Sequence, residues 1–266
     1  MTATKALVDG AIVAKRNLIK IKRVPDLLVF TTISPIMFIL LFAYIFGSAI
    51  ATPGVSYKEF LMPGIFAQTM IFGATLTGSG MADDIKKGII DRFRSLPMSR
   101  SAVLIGRTGS DLANNVLIIV VMSLTGVLVG WRIRTSLVEA VGAFLLLLVF
   151  AYAISWIMAW VGLLVPSPEV VNNASFVVIF PLTFIANTFV PTDHFPAPLK
   201  FAANWNPVSS VTLAARQLFG NTPAHEQVAD YWSLRHPVPY TLLWVGLLLL
   251  IFVPLSVRQY RKAASR

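Results

Sequence analysis

The stretch Ala140–Pro168 reads AVGAFLLLLVFAYAISWIMAWVGLLVPSP, without one Asp, Glu, Lys or Arg. A helix rises 1.5 Å per residue, so about 20 apolar residues cross the ~30 Å hydrocarbon core of a bilayer. This stretch is long enough to do so, and nothing in it demands water. Working outward, the same reading applies to Val29–Ala51, Phe60–Ala82, Leu112–Trp131, Val170–Thr192 and Pro237–Val257, all free of charged residues. A further charge-free run, Phe201–Ala215, is too short to span and contains Pro207. It is expected to be interfacial or re-entrant. The whole chain of 266 residues is 56% hydrophobic and only 13% charged. Soluble domains carry roughly 25% charged residues, and the mean hydropathy here is +0.74. The predicted fold is all-α: a polytopic membrane protein with six transmembrane helices.

The positions of Lys and Arg orient these helices. With six spans, the N-terminus, loops 82–111 and 168–170 and the C-terminal tail share one side. Of 22 basic residues, only Lys58, Arg132, Arg134, Lys200, Arg216 and Arg235 fall on the other. Both termini are therefore expected in the cytoplasm. An odd span count would put the basic N-terminus and basic tail on opposite sides. The formal net charge of +10 belongs to this asymmetry, so nucleic acid is not an expected partner. The predicted organisation is a cytoplasmic amphipathic arm (1–28), a six-helix domain (29–257) with a coupling loop (82–111) and an outer segment (193–236), and a basic cytoplasmic tail (258–266).

Two cytoplasmic segments have helical periodicity. In the arm, Leu7, Ala11, Ala14, Leu18 and Ile21 recur every three or four residues, and Lys15, Arg16, Lys20, Lys22 and Arg23 lie off that stripe. Such a helix lies on the inner leaflet, drawn by anionic lipid headgroups. The plainer reading is a positively charged flank without further role. Residues 82–100 read ADDIKKGIIDRFRSLPMSR, with Ile85, Ile89, Phe93 and Leu96 at helical spacing and Asp84, Lys87, Asp91 and Arg94 between them. The pattern predicts one short amphipathic helix ending before Pro97. It reads equally as a lever offered to a partner or as a solvated loop helix.

These residues also carry a resemblance. Arg92–Arg100, followed by Gly106-Arg107 and Asp111, resembles the first cytoplasmic loop of ABC-2 type permeases. Upstream, Tyr57–Gly64 (YKEFLMPG) resembles that family's approach to its second span. Downstream, Phe189–Pro198 (FVPTDHFPAP), Asn206-Pro207 and Arg216–Gly220 (RQLFG) are similar to its outer segment. The nearest subgroup is the daunorubicin/doxorubicin-resistance drug permeases. The resemblance implies a permease that pairs with a second one, the same or related. It also implies a separate ABC ATPase subunit, which would hold ATP and Mg, while this chain binds no cofactor. A coupling helix is implied at Asp84–Leu96, with Asp83, Asp84, Lys87, Asp91, Arg92, Phe93, Arg94, Leu96 and Pro97 as ATPase-coupling residues. Related loops often carry a Glu where this chain has Asp83, Asp84 and Asp91, so which acid makes that contact stays open. Re-entrant helices capping the exit are implied at about Pro191–Leu218, with Pro191, Phe195, Pro196, Asn206, Pro207 and Arg216 as their marker residues. The implied location is a bacterial inner membrane, crossed several times.

The remaining residues narrow the chemistry. No Gly-x-x-x-x-Gly-Lys-[Ser/Thr] string occurs, so the chain has no phosphate-cradling loop of its own. With no cysteine, disulfides, thiolate metal sites and cysteine nucleophiles are excluded. His194, His225 and His236 lack metal-ligand spacing. Asp83-Asp84 faintly suggests a membrane prenyltransferase, but a second acidic cluster is missing. Asp111, Glu139 and Glu169 lie at span edges and read as interfacial, with Asp111 placed to pair with Arg107. Gln68, Asn114, Asn115 and Asn187 are polar residues within spans. They either bond between helices or line a pathway. Pro35 and Pro181 predict kinks. The function expected is ATP-driven export of a hydrophobic or amphiphilic drug or lipid, as in antibiotic resistance. A lipid-linked glycan or polyketide lipid is the alternative cargo, with a membrane-integral transferase or a purely structural subunit further off.

Overall fold

The computed structural model describes residues 9–17, 19, 25–47, 50, 52, 54–90, 102–192, 195–222 and 231–263. Every regular element among them is helical. Helix α1 (residues 9–17) belongs to the arm. Then follow α2 (Pro25–Leu41) with a π-helical turn Phe42–Phe46, α3 (Tyr57–Gly73), α4 (Thr75–Lys86), α5 (Ala102–Val129), α6 (Leu137–Gly162) and α7 (Pro168–Ile185). The chain continues through α8 (Ala197–Trp205), α9 (Pro207–Phe219), the short α10 (Trp232–Arg235) and α11 (Pro237–Ala263). Together α3 and α4 form one rod, Tyr57–Lys86, broken only by a turn at Ala74. That rod, α5, α6, α7 and Pro237–Lys262 are five helices long and apolar enough to cross a membrane, and Thr32–Phe46 is a shorter apolar one.

Local sequence sets the helix ends. Ser136 starts α6 through a capping box, in which its hydroxyl accepts from Glu139 N–H and Glu139 accepts from Ser136 N–H in return. Ser56 caps α3. Pro207 opens α9, the Asn206 side chain accepts from Val208 N–H, and Gly220 closes it at φ +72. Helix α2 continues through Pro35, α7 through Pro181 and α11 through Pro254.

Lipid gives helices no hydrophobic reason to associate, so close packing must supply it, and small residues allow close approach. In the rod Tyr57–Lys86, 72% of the most apolar window is buried, against 22% in α7 and in Pro237–Lys262. This second hydrophobic segment is therefore the axis of the subunit. Around it α6 packs on α11, α4, α9 and α5. Glycines mark the tightest joints: Gly64 lies on the Thr188 backbone, Gly78 on Met158 O, and Gly162 on Gly78. The pair α8–α9 folds back between α7 and α11. It is fastened by Asn206 Nδ2 donating to Leu182 O (2.7 Å), Ser210 Oγ to Pro237 O (2.9 Å) and Tyr240 Oη to Trp205 O (2.9 Å). Below α9, Phe219 meets Phe144 (centroids 4.9 Å apart) and Trp131 (5.3 Å), and Trp131 Nε1 donates to Asn221 (2.7 Å).

Candidate functional site

Midway along the axis, a groove of about 380 Å³ opens between α2, α3 and α7. Phe38, Phe72, Phe176 and Phe180 wall it, and Gln68, Thr69 and Ser34 supply polar atoms. The aromatics do not stop there. Phe176 stacks on Phe180 (4.9 Å), Phe180 on Phe184 (4.1 Å), and Phe189 lies 4.8 Å from Phe184 and 4.5 Å from Phe42. This row leads from the groove to the backbone beneath α9. Four-residue spacing puts Phe176, Phe180 and Phe184 on one face of α7. That spacing is visible in the sequence, and reading for charge rather than aromatic periodicity passes over it.

The end of the row away from the groove meets a buried cation. Arg216 of α9 is 0% exposed. Its Nε donates to Phe60 O (2.8 Å), its Nη2 to Asn187 O (2.5 Å) and Thr188 O (3.2 Å), and the guanidinium lies 3.6 Å from the Phe60 ring centroid. Close by, Glu59 pairs with Arg134 (2.8 Å), and Arg134 N–H donates to Phe219 O. Helix α9 is thus tied to the N-terminal end of α3 through charge and carbonyls rather than apolar contact alone.

At the opposite end of the axis helix the arm docks on α4 and α5. Gly10 and Gly106 let α1 lie directly on α5, where a Cβ at Gly106 would stand 2.5 Å from Gly10 O and 2.6 Å from Val13 Cβ. Asn17 Nδ2 donates to Ser110 Oγ (3.3 Å), and Arg16 pairs with Asp84 (3.5 Å). Gly106→Val should therefore undock α1 while the spans stay folded. Hydrogen exchange should then accelerate at residues 9–17 and stay unchanged in α6. Equal protection of the arm in both proteins would refute this docking.

The structure places the sequence-derived candidates as follows. Asp83 and Asp84 belong to α4, the C-terminal end of the long rod. Asp84 is buried at 4% exposure against the arm, whereas Asp83 pairs with Lys87 (2.8 Å). That hydrogen bond, with the charge behind it, holds the Lys87 ammonium above its ordinary pKa. A single helix over Asp84–Leu96 is not what forms: α4 ends at Lys86, Gly88 turns at φ +63, and helix resumes at residues 89–90. The reason is the missing Cβ of Gly88, which makes the left-handed turn accessible. Asp91, Arg92, Phe93, Arg94, Leu96 and Pro97 lie outside the described residues, as do Lys20, Lys22, Arg23, His194 and His225. In α1, Lys15 is exposed. Pro191, Phe195 and Pro196 lead into α8, and Asn206 and Pro207 form the corner between α8 and α9. Of the four in-span polar residues, Gln68 lines the groove. Asn187 instead donates its N–H to Ser209 Oγ (3.2 Å) at the outer joint, and Asn114 and Asn115 are buried on α5. Asp111 is enclosed by protein: it is 6% exposed, pairs with Arg107 (3.7 Å) as its spacing predicts, and accepts from Thr77 Oγ1. Among the described residues no His, Cys, Asp and Glu cluster could hold a metal ion.

Comparison with known proteins bears on what this arrangement serves. Residues 10–219, from the arm through α9, match the family described as ABC-2 type transporter. The chain is 33% identical over 246 residues to the daunorubicin resistance ABC transporter permease protein DrrB1 of Streptomyces coeruleorubidus, covering 92% of this chain and 83% of that one. It is 23% identical over 215 residues to the "putative transport permease ycf38" of Cyanophora paradoxa (79% and 74%). It is 24% identical over 233 residues to the "probable doxorubicin resistance ABC transporter permease protein DrrC" of Mycobacterium tuberculosis (87% and 80%).

Proposed function

The chain belongs to the ABC-2 type transporter family, and from that premise we propose that its cargo is a flat, amphiphilic, drug-like molecule exported through the groove beside α3. It is the permease subunit of an ABC drug exporter of the daunorubicin/doxorubicin-resistance type, a transport component rather than the ATPase. ATP and Mg belong to a separate ABC ATPase subunit. That subunit pushes on the loop after α4, and a second permease, the same or related, completes the pathway. Helix α2 and its π-turn run from Pro25 to Phe46, long enough at 1.5 Å per residue to cross the hydrocarbon core. This supports six spans with both termini in the cytoplasm, in a bacterial inner membrane.

The observation that carries the cargo is the wall of the groove. Four phenyl rings and the Gln68 amide face about 380 Å³, within the range that holds a drug-sized ligand. Aromatic pairs are worth about 0.5–1.5 kcal/mol beyond area burial, so a fused-ring cargo gains most there. The Phe184–Phe189 steps offer it successive stacking partners toward the outer cover.

The test is export by the reconstituted complex. Vesicles holding this chain and its ATPase subunit should accumulate a fluorescent anthracycline when ATP is supplied. Phe180→Ala should raise the apparent KM for the drug by up to about tenfold, since 1.4 kcal/mol is a factor of ten, while basal ATP hydrolysis is unchanged. An unaltered KM in both Phe180→Ala and Gln68→Ala would move the cargo out of this groove. Transport of a lipid-linked glycan or polyketide lipid in place of the drug would reassign the substrate.

A further inference from the structure

The axis helix is interrupted where it meets the groove. Helix α3 ends at Gly73 and α4 begins at Thr75, and the helix tightens at the joint: Ala74 N–H is shared between Met70 O (3.3 Å) and Ile71 O (3.2 Å), and Thr77 N–H bonds Ala74 O (3.1 Å). Thr75 Oγ1 also donates to Phe72 O (2.7 Å). Such three-residue bonds inside a long helix mark hinges, and a side chain on the carbonyl ladder is a recognised cause of bending. Gly73, Thr75 and Leu76, the residues of this turn, all line the groove.

Helix α5 grips the same turn with polar side chains. Arg107 Nη2 donates to Leu76 O (2.6 Å). It reaches that carbonyl because Gly80 leaves a notch, which a Cβ would fill by running into the guanidinium. Asp111 accepts from Thr77 Oγ1 and lies 3.7 Å from Arg107 Nε. Asn115 Oδ1 would stand 2.9 Å from a Cβ at Gly73. Three residues spaced four apart on one face of α5 thus hold both sides of the interruption. At its other end α4 carries Asp83 and Asp84, next to the loop on the ATPase side.

We propose that Arg107 and Asp111 are positioning residues for transport: they hold the joint of α3 and α4 so that a displacement of α4 is delivered to the groove instead of being lost in the turn. This rests on reading the chain as an ATP-driven permease with its cargo in that groove. Neither residue lines the groove, so neither is needed for the drug to bind. What their loss removes is the connection between drug occupancy and the far end of α4.

The test uses the full permease–ATPase complex in vesicles, with a fluorescent anthracycline as the probe. Gly80→Ala retains both charges and displaces only the guanidinium. Arg107→Leu/Asp111→Leu removes both charges together and strands neither. Both variants are expected to bind drug with unaltered Kd and to hydrolyse ATP at the basal rate. Drug-stimulated hydrolysis, and drug moved per ATP, should fall about fivefold or more, the lower bound of a typical coupling between sites. Arg107→Lys should recover part of the loss, since it keeps the pairing with Asp111. A wild-type complex that moves no drug sinks the cargo reading. A wild-type complex that moves drug, beside a Gly80→Ala complex with the same drug-to-ATP ratio, sinks the hinge. So does a loss confined to drug Kd. Should the double variant fail to fold, Gly80→Ala decides alone.

Discussion

Arg216→Met is expected to lower the melting temperature of the purified subunit by about 10 °C, one of the largest effects of any single substitution here. Met keeps an unbranched apolar stem like that of Arg, so most of the loss belongs to the guanidinium. That group is fully buried and satisfies the carbonyls of Phe60, Asn187 and Thr188 while lying against the Phe60 ring. A hydrogen bond to a charged group contributes about 1.5–3 kcal/mol, and a desolvated cation–π contact about 2 kcal/mol. These do not add fully, because they share one rigid group. An overall cost of about 3–5 kcal/mol follows, comparable to breaking a buried pair, and each kcal/mol shifts a domain of this size by about 2–4 °C. Arg216→Lys should fall between: it keeps the charge but not the planar fork that serves α3 and the segment after α7 at once. Thermal unfolding in detergent, followed by intrinsic tryptophan fluorescence, measures this. A shift under about 3 °C for Arg216→Met would mean that the outer cover is held by its apolar contacts and not by this cation.

Much of this fold is written in charge placement. The long apolar windows are legible because lipid admits no unpaired charge, and the five long helices fall within or around them. The Arg107–Asp111 pair is legible too, from helical spacing alone. What escapes is everything set by a partner far along the chain. Asp84 reads as surface charge until α1, more than sixty positions earlier, places Arg16 beside it. Asp111 reads as a residue at the edge of an apolar window, and that pattern says nothing of Thr77, thirty-four positions earlier, against which it is buried. Ile85 through Leu96 has helical periodicity on both sides of Gly88, and apolar spacing does not register a single positive-φ residue. Arg216 reads as one more outer-side charge. Only the fold shows that α9 turns it inward against main-chain carbonyls, which have no signature in sequence. The groove was half legible: Gln68 stands out as a polar residue in an apolar span, but its aromatic wall comes from three helices whose mutual rotation no local pattern fixes.

Gly162→Val should be as damaging as Arg216→Met, for an unrelated reason. Gly162 closes α6 against α4, the second half of the axis helix. A Cβ there would run into Gly78 O and stand 2.8 Å from the Gly78 C and Cα atoms. These are backbone atoms of α4, so no rotamer change relieves the clash and the two helices must separate. In lipid that separation is not offset by any gain in hydrophobic burial, because packing itself drives association. Overpacking a tight site costs about 1–3 kcal/mol, and Val brings two methyls beyond the Cβ, so the upper end or more is expected. The functional effect should be larger still, since moving α4 displaces Asp83 and Asp84, and with them the loop we propose meets the ATPase. Gly142→Val supplies the control within the same helix. Nothing lies within 4 Å of a Cβ at Gly142, and replacing Gly in a helix is by itself slightly favourable. The two proteins carry one chemical change, in one element, differing only in what the new side chain meets. Gly142→Val should therefore melt at or above the wild-type temperature and retain its ATPase subunit through purification. Gly162→Val should melt about 5–10 °C lower and lose that subunit. Equal melting temperatures for the two would mean that α4 and α6 yield to each other freely, in which case a displacement at the inner end of α4 could not be passed to the groove as a rigid movement.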